Sequence, residues 1–88
     1  MPFRDMTQGR IFTFNTFLLD RQGVLNSVLS IFAAAGANIL TINQSIPSDG
    51  VAFVTISAKL DNAGLTPDEL IVRMRNAEGV VSAELLAG

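Results

Sequence analysis

The sequence predicts an α+β fold in the order β-α-β-β-α-β, with four strands in one antiparallel sheet and two helices on one face. Three observations carry this. Residues 51–60 alternate apolar and polar side chains, the period of a strand. Residues 24–35 and 67–77 place apolar side chains at i, i+3, i+4 and i+7, the period of an amphipathic helix. Between these segments stand turn clusters such as Asp20-Arg21-Gln22-Gly23 and Pro47-Ser48-Asp49-Gly50.

Residues 1–9 carry no clear period and read as a lead-in or linker stump, with the folded domain over residues 10–88. Ile11 to Leu19 is rich in Phe, Thr, Ile and Leu and reads as the first strand. Apolar groups fall on both of its faces, so both are expected to be at least partly covered. Asp20 to Gly23 breaks the strand. Asp20 is a candidate N-cap, and Gly23 permits close backbone approach.

The first helix runs from Val24 to Ala35, with Leu25, Val28, Leu29, Phe32 and Ala35 as its buried stripe. Gly36 is placed to end it in the left-handed conformation. Ala37 to Ile46 is the second strand, with Ile39, Leu40 and Ile42 as core candidates. Asp49-Gly50 favours a tight hairpin. In the third strand, Val51 to Leu60, the residues Ala52, Val54, Ile56, Ala58 and Leu60 share one face.

Thr66-Pro67-Asp68-Glu69 is a strong helix start. Thr66 caps, Pro67 fits the first turn, and Glu69 completes a capping box. Leu70, Ile71, Met74 and Ala77 form the buried stripe of this helix, Arg73 and Arg75 face water, and Gly79 ends it. Val80 to Leu86 is the last strand. This order is that of a ferredoxin-like βαββαβ sandwich.

At 88 residues the chain is one domain. A domain so short buries only about 60% of its unfolded surface. Apolar residues make up 49% of it and charged residues 16%. That surplus points to surface buried against another copy or another domain. The chain has no Cys and no His. Disulfides, thiolate metal sites, the commonest metal ligand and the commonest general base are all lacking. With a net charge of −2, phosphate neutralisation gives no basis for nucleic-acid binding. No apolar run is long enough to span a bilayer, and the reading is a cytoplasmic protein that needs no cofactor.

Two segments stand out chemically. The Asp20 to Gly23 turn opens a helix whose free N–H groups and dipole can hold a carboxylate, although an ordinary capped turn offers the same groups. Asn38, Thr41, Asn43, Gln44 and Ser45 set polar groups into an apolar strand. Amides both donate and accept, which suits a zwitterion, and equally suits a solvent-facing edge. The carboxylates lie mostly at loops and caps. Asp68-Glu69, the one pair with ligand-like spacing, is better explained by the capping box.

Phe17-Leu-Leu-Asp-Arg-Gln-Gly-Val-Leu25 resembles the Asp-Arg-Pro-Gly-Val-Leu signature of ACT domains. Ala35-Gly-Ala-Asn-Ile39 matches that family's Gly-x-Asn-Ile step into its second strand. Phe3-Arg-Asp-Met6, Asn38 to Pro47 and Val54-Thr-Ile-Ser57 further resemble the C-terminal part of small PheB-type, chorismate mutase-like ACT proteins.

The resemblance implies a regulatory module in which an amino acid effector sits at an interface between paired copies. It places Asp20, Arg21, Gln22, Gly23, Val24 and Leu25 on one side of that site and Asn38 and Ile39 on the other. It also implies a dimer with paired sheets. Gln22 stands where the family usually has Pro, and Leu18 where some relatives have a polar contact. Gln22 loosens the turn and adds a side-chain amide, and the apolar Leu18 leans the reading toward an apolar effector such as phenylalanine or a branched-chain amino acid. The alternatives are a chorismate mutase-like enzyme, whose dianionic substrate needs converging cations, and a ligand-free dimerisation module. No residue is assigned a catalytic or metal-binding role.

Overall fold

The computed structural model describes residues 10–45, 47–61 and 63–87. The lead-in 1–9, with Arg4 and the Phe3 to Met6 motif, lies outside them. The elements are β1 (Ile11–Leu19), α1 (Val24–Ala34), β2 (Asn38–Gln44), β3 (Val51–Lys59), α2 (Pro67–Arg75) and β4 (Val80–Ala87). The strand order is β2-β3-β1-β4, and every pairing is antiparallel. This is the ferredoxin-like α+β sheet that the sequence predicts.

One face of the sheet packs on the helices. Phe14 and Leu18 of β1, Val54, Ile56 and Ala58 of β3, and Ala83 of β4 meet Val24, Val28 and Phe32 of α1 and Leu70, Ile71 and Met74 of α2. Phe14 and Phe32 meet edge to face, with ring centroids 5.2 Å apart. Thr16 is the buried polar member of this face. Its hydroxyl donates to the Ser82 carbonyl at 2.7 Å, so burial leaves no donor unpaired.

The opposite face is not covered by any described element. Ile11 and Phe17 are 47% and 45% exposed and Thr13, Asn15 and Leu19 half-buried, so this face of β1 is only partly covered. Phe17 leans on Phe53 of β3 at 4.9 Å between centroids. Beside this pair the Thr55 hydroxyl donates to Asn15 Oδ1 at 2.9 Å, and the hydroxyls of Thr13 and Ser57 lie 3.3 Å apart.

β2 departs furthest from expectation. Leu40 and Ile42, read as core, are 41% and 40% exposed, and Ile39 is half-buried. The strand is an edge, so its outer side has no neighbour, and a register shift between Ile39 and Thr41 interrupts its ladder with β3.

The turn chemistry follows the sequence closely. Thr66 accepts from the Glu69 N–H while Glu69 accepts from the Thr66 N–H, a complete capping box. Asp49 and Gly50 take φ values of 55° and 78°, as a two-residue hairpin turn of the primed type requires. Gly36 has φ 80° just beyond α1. Helix α2 ends sooner than read: Asn76 is its C-cap, and Gly79 instead bends the chain into β4 at φ 91°.

Candidate functional site

Three connections gather at one end of the sheet. The Leu19 N–H donates to the Gly79 carbonyl at 2.8 Å, and the Asp20 N–H donates to the Gly50 carbonyl at 2.8 Å. The β1–α1 turn is thereby tied to both the α2–β4 turn and the β2–β3 hairpin.

Within the β1–α1 turn, the Val24 N–H donates to the Arg21 carbonyl at 3.3 Å, closing a four-residue turn. Gly23 is its third residue at φ 89° and ψ −13°, the left-handed geometry of a type II turn. A β-carbon on Gly23 would meet nothing within 4 Å. The glycine is therefore required by backbone conformation, and the space above it is open.

Gly23 also occupies the N-cap of α1, where no side chain caps the helix, and the first turn holds no acidic residue. Asp20 is exposed and does not serve as the N-cap read from the sequence. The positive end of α1 consequently receives no anion from its own cap or first turn.

Above this turn lies a cavity of about 290 Å³ lined by Arg21, Gln22, Gly23, Val24, Ser27 and Glu78. Four of the expected site residues are among them. Ser27 turns its hydroxyl back on the Gly23 carbonyl at 3.0 Å. Val24 is buried in the core, so it contributes backbone to the cavity more than side chain. Leu25 is half-buried and does not line it.

Sequence reasoning missed two of the lining residues, Ser27 and the more distant Glu78. Glu78 belongs to the α2–β4 turn, 54 residues beyond Val24, and only the tertiary fold brings the two connections together. Leu18, whose apolar character leaned the sequence reading toward an apolar effector, is 2% exposed beneath the helices and is no part of the cavity.

Asn38 and Ile39 lie elsewhere in the chain. Asn38 pairs with Lys59, which pairs with Ile11 at the start of β1, whereas Asp20 follows the end of β1. The length of β1, about 27 Å at the rise of a strand, separates the two halves of the expected site within one chain.

Comparison with known proteins decides the family. The family model described as ACT domain matches residues 12–66, more than half of the chain. The chain belongs to the ACT domain family. A UPF0735 ACT domain-containing protein of Geobacillus thermodenitrificans is 41% identical over 85 residues, covering 97% of this chain and 58% of that protein. Another from Shouchella clausii is 44% identical with the same coverage. The chain thus spans a little under three fifths of the length of these relatives.

Among solved structures, the ACT domain of the Chlorobium tepidum GTP pyrophosphokinase superposes with a TM-score of 0.68 at 20% identity, over 86% of this chain and 96% of that one. A Pseudomonas putida formyltetrahydrofolate deformylase reaches 0.73 at 10% identity, over 90% of this chain and 29% of that one. At such identities these two likenesses speak for the fold alone.

Proposed function

We propose that this ACT domain is a regulatory module that binds an amino acid effector in the cavity over the β1–α1 turn, within a pair of copies joined along β2. The observation that carries the reading is the cavity itself. A guanidinium, an uncapped helix start and a carboxylate face one space of about 290 Å³. A zwitterion needs donors for its carboxylate and an acceptor for its ammonium, and that space offers both.

The separation of Asn38 from the cavity supports pairing along β2. Two copies joined edge to edge by a two-fold axis place their β2 strands antiparallel. The start of one β2, with Asn38 and Ile39, then lies beside the finish of the other, at the end of the sheet that carries the cavity. Exposed Leu40 and Ile42 on that edge give the contact an apolar component. An effector held between copies favours the paired state by mass action. We read the protein as cytoplasmic, in keeping with described helices too short to cross a membrane.

The mutase reading, suggested by the PheB-type likeness, finds less support. Arg10 lies over the Phe12 ring near the start of β1, and Lys59 pairs with Ile11 at that same end. Arg75 is committed to the Ala83 carbonyl. Of the described cations, Arg21 and Arg73 remain, and a carboxylate, Glu78, stands with each.

A thermal-shift screen of the twenty amino acids tests the effector reading. A subset is expected to raise the unfolding midpoint. Gly23→Asp should abolish that response while the domain still folds, because Asp tolerates the left-handed region. Asn38→Ala should weaken it. Stable pairing with no response to any amino acid would leave a pure dimerisation module, and turnover of chorismate would establish the enzyme instead.

A further inference from the structure

The effector cavity does not end at Glu78. A second cavity of about 520 Å³ runs between α1 and α2 and shares Ser27 and Glu78 with the first. Its walls carry Ile31 and Ala34 of α1 and Ala77 just beyond α2, with Arg73 in the last turn of α2. The two cavities form one trough, which begins over the β1–α1 turn and descends between the helices.

Charge along this trough alternates. Arg21 is at its head, Glu78 at the junction, and Arg73 in the interhelical part. The complementary ligand carries an anion, then a cation, then a second anion.

We infer that the effector is an α-amino acid with a carboxylate side chain. Its α-carboxylate meets Arg21, its ammonium meets Glu78, and its side-chain carboxylate meets Arg73, with the methylenes over Ala77 and Ile31. The inference rests on the effector reading above and deepens it. It also reverses the sequence's lean toward an apolar ligand. A phenylalanine or leucine side chain in the trough would displace water from Arg73 without offering its guanidinium an acceptor in return, which is unfavourable. A dicarboxylate lacking the ammonium leaves Glu78 facing only like charge.

Calorimetric titration of the intact chain with L-aspartate, L-glutamate, L-2-aminoadipate, L-glutamine, L-leucine, L-phenylalanine and glutarate tests it. At least one dicarboxylic amino acid is expected to bind, with glutarate and glutamine weaker by about ten-fold or more, the usual worth of a charge-assisted hydrogen bond. Arg73→Gln should bring glutamate down to the level of glutamine and leave glutamine unchanged. Glu78→Gln should lower affinity for every amino acid alike. Both side chains are exposed, so the unliganded midpoint of each variant should stay near that of the parent. If leucine or phenylalanine binds more tightly than every dicarboxylic amino acid, or if Arg73→Gln leaves glutamate unaffected, the inference falls while the effector reading stands. If no amino acid binds, both fall together.

Discussion

Gly79 packs directly on Val24. A β-carbon placed on Gly79 would stand 2.7 Å from Val24 Cγ2 and 2.9 Å from Cγ1, distances that real β-carbons do not tolerate. Val24 opens α1 and is 6% exposed, so its branched side chain has little room to swing away. The missing side chain of Gly79 is what lets the α2–β4 turn, with Glu78, approach the β1–α1 turn.

Gly79→Ala and Gly23→Ala separate conformation from contact. Both glycines are left-handed, at φ 91° and 89°. A non-glycine residue there costs about 1–2 kcal/mol. Gly23→Ala should cost only that, since its β-carbon meets nothing. Gly79→Ala adds overpacking of about 1–3 kcal/mol. Urea unfolding should show the larger loss at Gly79, and Val24→Ala in the Gly79→Ala background should recover part of it. Equal losses at the two glycines would refute the Gly79–Val24 contact.

Gln22→Pro should stabilise the free domain. Gln22 is the second residue of the turn that Arg21 and Val24 close, with Gly23 left-handed after it. Proline is favoured at that place in a type II turn, and it restricts the unfolded chain. A gain of about 0.4–1 kcal/mol is expected in chemical unfolding. A loss would mean that the Gln22 N–H or the backbone of Arg21 is engaged in a way proline forbids.

β4 is pinned by two side chains that reach its carbonyls. The Arg75 guanidinium donates through Nε and Nη2 to the Ala83 carbonyl at 3.0 and 2.8 Å, and the Thr16 hydroxyl donates to the neighbouring Ser82 carbonyl. Thr16→Val keeps the shape and removes a buried hydrogen bond, at a cost of about 1 kcal/mol. Arg75→Ala should cost about as much, and Arg75→Lys should restore less than half of it, because an ammonium cannot reproduce the planar fork. Hydrogen exchange should localise both losses to β4; a uniform loss of protection would count against the pinning.

Much of this fold was legible because local and tertiary preferences agree. The alternation of Ala52, Val54, Ile56 and Ala58 is the buried face of β3, and Thr66 to Glu69 is a capping box in space as in sequence. The sequence also pointed to Arg21, Gln22, Gly23 and Val24, since a turn that opens a helix is a local feature. Leu40 and Ile42 were misread as core because hydropathy alone does not say which strand is an edge. Glu78 was invisible because nothing in its own neighbourhood sets it apart. Its role comes from packing between turns distant in sequence.

The edge that misled the sequence reading supplies the last prediction. Leu40 and Ile42, 41% and 40% exposed, sit on an edge strand, where apolar side chains and the free backbone groups of the outer side invite a second strand. If copies join there, Leu40→Lys and Ile42→Lys should each give a monomer in sedimentation, remove the concentration dependence of the unfolding midpoint, and abolish the part of the effector response that depends on Asn38. The fold of the single copy should survive, because side chains already this exposed lose little burial on substitution. β4, the other edge, supplies the control: Val81 is 56% exposed and Leu86 60%. A pair that persists in the β2 variants and dissociates in Val81→Lys would move the interface to β4, and Asn38 would then lie too far from the partner's cavity to touch an effector.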